Sequence, residues 1–181
     1  GTTTAVVTVN VAPVNDPAQL GTGTGTVQED TTLAASGTLT ISDPDAGEAR
    51  FQPQTSTPGT YGSFSIDAAG AWSYALDNSS PAVQALKDGE SRTETFDVLS
   101  ADGTPTTVTI TVLGTNDGPV ARPDTAATDE DTPITFAVLG NDSDPDGDPL
   151  TVTAATVDPA LGTVVVNPDG TLSFTPAPNF N

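Results

Sequence analysis

The chain has 181 residues, with 24 acidic against 4 basic side chains and a formal net charge of −20 at pH 7. This charge makes nucleic acid and anionic membranes poor partners, and no apolar run approaches the ~20 residues that cross a bilayer. The chain contains 17 glycines and 16 prolines, which disfavour long helices, and it has no cysteine or histidine for disulfides or catalytic triads.

The chain begins with an alternating apolar run, Ala5–Val11, followed by a turn-forming Asn15-Asp16-Pro17. Alternation of this kind is typical of a β-strand with one buried face. We therefore interpret residues 1–17 as the last strand and the linker of a preceding repeat. The chain would then be a segment of something longer.

An internal repeat organises the remainder. Three acidic motifs recur at an offset of 101 positions: Asn15-Asp16 as Asn116-Asp117, Glu29-Asp30-Thr31 as Glu130-Asp131-Thr132, and Asp43-Pro44-Asp45 as Asp144-Pro145-Asp146. Several independent matches at one period predict one complete unit over residues 18–118 and the start of a second over residues 119–181.

The complete unit has the pattern of an all-β domain. Side chains at alternate positions form the predicted core faces: Phe64, Ile66, Trp72, Tyr74, Leu76, Phe96, Val98, Val108, Ile110 and Val112. Glycine-containing turns separate these runs, and about seven short strands favour an immunoglobulin-like or cadherin-like β-sandwich. One short helix is predicted, with Ser80 as N-cap, Pro81 at its first position, Val83 and Leu86 on one face, and Gly89 as its stop.

The second unit lacks counterparts of the last strands of the first, so we expect an incomplete sandwich with exposed edges. The expected partners are the neighbouring repeats of the same chain, and exchange of a strand between two chains is a further hypothesis. The N-terminal strand of one molecule could complete the second unit of another.

Strand direction predicts that acids distant in sequence converge at the two ends of the complete unit. One end gathers Asn15, Asp16, Asp43, Asp45 and Asp102. The other gathers Glu29, Asp30, Asn116 and Asp117 with Asp144 and Asp146, and Glu130 and Asp142 are further candidate ligands in the second unit. Converging carboxylates with few cations nearby need a counter-charge. Oxygen ligands alone favour a hard cation, and flexible sets of six to eight oxygens favour Ca²⁺. The alternative is that these residues only form solvated turns.

Residues 18–118 resemble a VCBS repeat of giant bacterial RTX-type adhesins through Gly25–Asp30, Ala35–Glu48, Gly59–Gly62, Gly70–Tyr74, Leu76–Asn78 and Thr115–Pro119. Residues 119–181 resemble a cadherin-like repeat through Asp129–Asp131, Val138–Asp148 and Phe174–Phe180. The resemblance implies tandem modules that extend an adhesin, secreted to the bacterial cell surface. In cadherins, a first-strand Glu, an Asx-rich linker and an Asp-x-Asp of the next domain hold Ca²⁺. Glu29, Asn116-Asp117 and Asp144-x-Asp146 are similar in type and order, although the linker here is shorter.

These observations predict a calcium-rigidified extender repeat that spaces a binding domain from the cell. A carbohydrate- or protein-binding β-sandwich is the alternative, with Tyr61, Trp72 or Tyr74 as its platform, although periodicity places Trp72 and Tyr74 in the core. No catalytic activity is expected, because the acids lie at junctions rather than in an evident cleft.

Overall fold

A computed structural model of the chain describes residues 1–178 and divides into two compact units. The first unit comprises Gly1–Asp77 with Arg92–Val112, and the second comprises Asn78–Ser91 with the residues from Leu113 onward. The described chain is almost entirely β, as predicted, and none of its helices is long and apolar enough to span a membrane.

The first unit contains two main sheets and a short ribbon. Strands β3 (Ala34–Thr38), β7 (Ala71–Leu76), β6 (Gly62–Ile66) and β5 (Gln54–Pro58) form a four-stranded sheet in that order. Strands β2 (Gly23–Gln28), β9 (Pro105–Leu113) and β8 (Ser91–Leu99) form a three-stranded sheet, and β1 (Gln19–Leu20) pairs with β4 (Ile41–Ser42). The architecture is the predicted β-sandwich, with nine strands rather than seven because two of them are short.

The core of this sandwich lies where the alternation of the sequence placed it. All ten residues of the predicted core faces are buried. The ring of Phe64, on the four-stranded sheet, stacks on Phe96 of the three-stranded sheet with 4.8 Å between ring centroids. Because the contact joins residues far apart in sequence, it fixes how the two sheets face each other.

Small residues make room for Trp72 at the centre of the core. A Cβ atom added to Gly37 would lie 2.7 Å from the indole ring, and one added to Gly25 would lie 2.9 Å from it. Such distances are shorter than a van der Waals contact permits, so both positions need glycine while tryptophan occupies this site.

The predicted short helix is present as α1 (Pro81–Gln84), in the compact second unit. The Ser80 hydroxyl accepts a hydrogen bond from the Ala82 backbone N–H at 3.3 Å, and Val83 and Leu86 are buried as expected. The helix ends earlier than predicted, at Gln84, and Gly89 instead occupies a later turn with φ of +79°.

The repeated sequence of the second unit forms one three-stranded sheet, β10 (Ile134–Phe136), β12 (Leu172–Pro176) and β11 (Gly162–Val166), in that order. Its β11–β12 pairing repeats the β6–β7 pairing at an offset of 100, since Val164 faces Phe174 as Phe64 faces Tyr74. Residues 137–161 contain no strand. Asn179 and Phe180 of the cadherin-like motif lie outside the described residues.

The N-terminal run does not form the strand that its alternation predicts. Ala5–Val11 has no assigned strand, and its valines are exposed. An isolated strand has no hydrogen-bonding partner for its backbone, so alternation alone does not produce one.

Candidate metal centre

The first acidic cluster forms around the tight turn that follows β4. The Asp45 backbone N–H donates to Asp43 Oδ1 at 2.8 Å, which folds the Asp43-Pro44-Asp45 segment onto itself. Asp45 Oδ2 in turn accepts a hydrogen bond from the Asp16 backbone N–H at 2.8 Å. The structure therefore brings together Asp16, Asp43 and Asp45, as strand direction predicted.

Glu48 is a further member of this cluster that the sequence analysis did not identify as a ligand. Its backbone N–H donates to the Asp45 carbonyl at 3.2 Å, and Gly47, with φ of +90°, permits the turn. One carboxylate oxygen from each of Asp43, Asp45 and Glu48 lies within 4.8 Å of the other two. The spacing Asp-x-Asp-x-x-Glu was the available signal, because a tight turn after Asp45 returns the glutamate to the aspartates.

The donor set of this cluster suits a hard divalent cation. The three side chains are half-buried carboxylates, and the chain has no histidine or cysteine to favour a softer metal. Asp43 Oδ2 and Glu48 Oε2 are buried and have no hydrogen-bond partner among the described residues. Since buried anionic oxygens are costly without a partner, these atoms fit the place of a bound cation. The cluster could hold an ion.

Asp102, the remaining predicted ligand of this end, is engaged by protein donors. Its Oδ1 accepts from the Ser100 hydroxyl and from the Thr104 backbone N–H, the latter at 3.0 Å. Its Oδ2 accepts from the Thr104 hydroxyl at 2.8 Å and from the Ala18 N–H at 3.1 Å. The hydrogen bonds from Ser100 and Thr104 hold the pKa of Asp102 far below its usual range. Asp102 thus ties the β8–β9 turn to the start of the first sandwich, and its role as a ligand stays a prediction.

The second acidic cluster repeats the geometry of the first. The Asp146 backbone N–H donates to Asp144 Oδ1 at 3.0 Å, and the Asp117 N–H donates to Asp146 Oδ2 at 2.6 Å. The same two hydrogen bonds join Asp45 to Asp43 and Asp16 to Asp45, 101 positions earlier in the chain. Asp146 is only 7 % exposed, and its Oδ1 has no hydrogen-bond partner within residues 1–178.

The two clusters differ in how their charge is compensated. Pro149 stands where the first cluster has Glu48, and the backbone N–H of the preceding Asp148 donates to Asp144 Oδ1 at 3.2 Å. Lys87 forms an ion pair with Asp148. This hydrogen bond, together with the charges of Asp146 and Asp144, raises the pKa of Lys87. The sequence did not predict this ion pair, because Lys87 lies 61 positions before Asp148 and no local pattern connects them.

The other predicted ligands occupy varied environments. Asn15 and Asn116 each donate a side-chain N–H to the backbone carbonyl of the aspartate that follows, and Asp142 Oδ1 accepts from the Arg122 N–H at 2.7 Å. Glu29 is fully buried at the end of β2, whereas its counterpart Glu130 is exposed. Asp30 and Asp131 both adopt positive φ, 59° and 55°, which identifies them as matching turn residues. A shared site of Glu29 with Asn116, Asp117, Asp144 and Asp146 stays a prediction.

The aromatic platform of the alternative binding function is largely absent from the surface. Trp72 and Tyr74 are 4 % and 1 % exposed, so neither can stack on a ligand. The Tyr74 hydroxyl donates to Glu94, and burial together with this bond raises the pKa of Tyr74. Tyr61 alone remains half-exposed, in a depression that Pro58 and Leu76 also line.

Comparison with known families agrees with two β-domains in tandem. The family model described as "Bacterial cadherin-like domain" matches residues 15–114, just over half of the chain. The model described as "Bacterial Ig domain" matches residues 116–181. The cadherin-like similarity thus falls on the first unit rather than the second, and the narrower resemblance to VCBS repeats stays a prediction. No curated protein gives a significant match to the chain.

Proposed function

Because the chain belongs to the bacterial cadherin-like domain family, we propose that it is a calcium-stiffened spacer of a large bacterial surface adhesin. Bacterial Ig-like and cadherin-like domains are usually extracellular structural or adhesion modules, and they are typically non-catalytic. The finer assignment to an RTX-type adhesin rests on the VCBS-like motifs of residues 18–118.

One observation carries the proposal. Asp43, Asp45 and Glu48 each place one carboxylate oxygen within 4.8 Å of the other two. Asp43 and Glu48 each also have a buried carboxylate oxygen without a hydrogen-bond partner among the described residues. With a net charge of −20, the protein has few cations of its own to offset this repulsion. A calcium ion would supply that charge and accept six to eight oxygen ligands, water included.

The residues of the cluster connect this site to the junction segment. Asp45 binds the backbone N–H of Asp16 through Oδ2, and Asp43 holds the backbone of Asp45 through Oδ1. Neutralising the three carboxylates would therefore stabilise the turn that fixes Asp16 on the first sandwich. The same bonds hold Asp117 in the second cluster. A chain of such units would bend less at each Asn-Asp junction when the clusters are loaded.

Calcium titration tests the proposal. Sites of extracellular modules have a Kd of about 0.1–1 mM. With Kd at the tight end, about 10 mM Ca²⁺ would stabilise the first unit by roughly 2.7 kcal/mol. Glu48→Gln and Asp43→Asn should each remove most of this gain in thermal unfolding followed by the fluorescence of Trp72, the single tryptophan.

A matched control is Asp97→Asn, which makes the same charge change on an exposed side chain of β8 in the same unit. It should keep the full response to calcium. Small-angle scattering with and without EDTA measures the proposed stiffening. Unchanged melting and unchanged scattering between EDTA and calcium would refute the proposal, as would an equal loss in Asp97→Asn.

A further inference from the structure

The second unit carries an apolar groove of about 620 Å³. Its lining combines residues of the segment 124–130 with the large apolar residues Ile134, Phe136 and Phe174 of strands β10 and β12. These three large apolar residues are only partly buried, whereas the aromatic residues Phe64, Tyr74 and Phe96 on the sheets of the first unit are buried. An apolar groove of this size on a highly charged protein indicates a docking surface.

The first unit shows what occupies the equivalent position. An offset of 101 aligns residues 124–129 with β2, which pairs with β9. Ala126 corresponds to Gly25, and a Cβ on Gly25 would lie 3.0 Å from the Ile110 side chain of β9. Residues 124–129 form no strand, although β2 does. The groove is therefore the place that a β9-type strand fills.

The chain contains a second segment of the β9 type. Residues Val7, Val9 and Val11 correspond at the same offset to Val108, Ile110 and Val112. The three β9 residues are 0 % exposed, whereas the three valines are 81, 76 and 87 % exposed. This segment has the apolar face that the groove requires, and that face is uncovered.

Charge favours this segment over other occupants. The residues that line the groove include the acids Asp124, Asp129 and Glu130, and the chain has a net charge of −20. Acidic segments are repelled by such a wall, but residues 1–15 contain no ionisable side chain. An uncharged alternating strand therefore adds no like charge beside the acidic wall of the groove.

We propose that residues 5–11 of one copy of the chain occupy the groove of a second copy, as a β-strand beside residues 124–129. The donor strand and the acceptor groove are different surfaces, so the contact is heterologous and generates open chains or rings of copies. Seven residues bury less than the ~1,600 Å² of a standard interface, so weak association that depends on concentration is expected. The contact uses none of the acidic cluster Asp43, Asp45 and Glu48, and it is independent of the proposed calcium function.

Sedimentation velocity from micromolar to millimolar concentration, in EDTA, tests the proposal on the full chain. The average mass should rise with concentration. Val9→Asp places a charge on the docking face and should leave a monomer. Thr8→Asp is the matched control, because the equivalent Thr109 directs its hydroxyl to Thr95 on the outer face of the sheet. It should associate as the unmodified chain does.

A complementation experiment separates docking from misfolding. Leu161→Asp alters the groove at a side chain that is 41 % exposed, so the fold is expected to persist, and circular dichroism checks it. This variant keeps the strand and loses the groove, whereas Val9→Asp keeps the groove and loses the strand. Each alone should be monomeric, and their mixture should form a dimer and nothing larger. A monomeric unmodified chain, equal effects of Thr8→Asp and Val9→Asp, or a monomeric mixture would overturn the proposal.

Discussion

The two acidic clusters share their backbone geometry and differ in their counter-charge. In both, an Asp-Pro-Asp turn holds its own backbone through one carboxylate and an Asn-Asp junction through the other. Each cluster contains a buried carboxylate oxygen without a hydrogen-bond partner among the described residues. The first cluster adds the carboxylate of Glu48, whereas the second lies beside the ion pair of Lys87 with Asp148. Local sequence is thus sufficient to build the turn, but charge compensation depends on residues that arrive from elsewhere in the chain.

The cores of the two units show a similar contrast. The β6–β7 register is repeated by β11–β12, yet Phe64 is fully buried and its counterpart Val164 is only half-buried. The difference arises because strands β8 and β9 cover the first core and have no counterpart in the described second unit. A repeated hairpin therefore acquires a closed core only where a second sheet packs on it.

The largest expected effect tests this contrast directly. Phe64→Ala should lower the stability of the first unit by about 3–5 kcal/mol, because it leaves a cavity against Phe96. Val164→Ala, at the matched position, should cost about 1 kcal/mol or less because less area is lost from a half-exposed site. Chemical denaturation followed by Trp72 fluorescence measures the first effect, and circular dichroism measures the second. Equal losses would contradict the difference in burial.

A smaller loss of stability is expected from substitution of Asp102, which connects the β8–β9 turn of the first unit to the Ala18 N–H. Its pKa is lowered by hydrogen bonds, so its stabilising contribution is complete above the unfolded pKa of about 4 and decreases as pH falls further. Asp102→Asn should therefore destabilise the protein at neutral pH, with the difference from the unmodified chain narrowing below about pH 4. Thermal unfolding across pH measures this.

Asp88→Asn is the matched control for Asp102→Asn, since both aspartates precede a glycine with positive φ. Asp88 is exposed, so its substitution should leave stability nearly unchanged at every pH. A difference for Asp102→Asn that does not vary with pH would show that the carboxylate charge is not what stabilises the turn.

The smallest effect is expected at Lys87, which distinguishes the second cluster from the first. Lys87→Met removes an exposed ion pair, so it should lower stability slightly and less at high salt. Because the pKa of Lys87 is raised in the folded state, the contribution is complete at neutral pH and disappears above about pH 10.4. The variant should also gain a stronger response to calcium, measured by titration calorimetry. A weaker response would contradict the view that Lys87 supplies counter-charge.

Much of the fold of the first unit was predictable, because the alternation of side chains along a strand determines which residues face its core. Alternation places a residue on one face of a strand, and Trp72, Tyr74 and Val108 obeyed that rule once a second sheet was present to bury them. The same alternation at Val7, Val9 and Val11 did not produce a strand, since periodicity specifies a face without supplying a partner. The acids of the first cluster converged as predicted because β1 and β4 pair and bring Asp16 to Asp45.

The amino-acid sequence by itself determined the β class, the period near 101 residues, the buried faces and the Asp-Pro-Asp turns, because each depends on local spacing or turn chemistry. Only the tertiary structure showed that Lys87 pairs with Asp148 and that the Ala18 N–H donates to Asp102. These contacts depend on where turns and strands bring distant side chains, and spacing along the chain does not encode that distance.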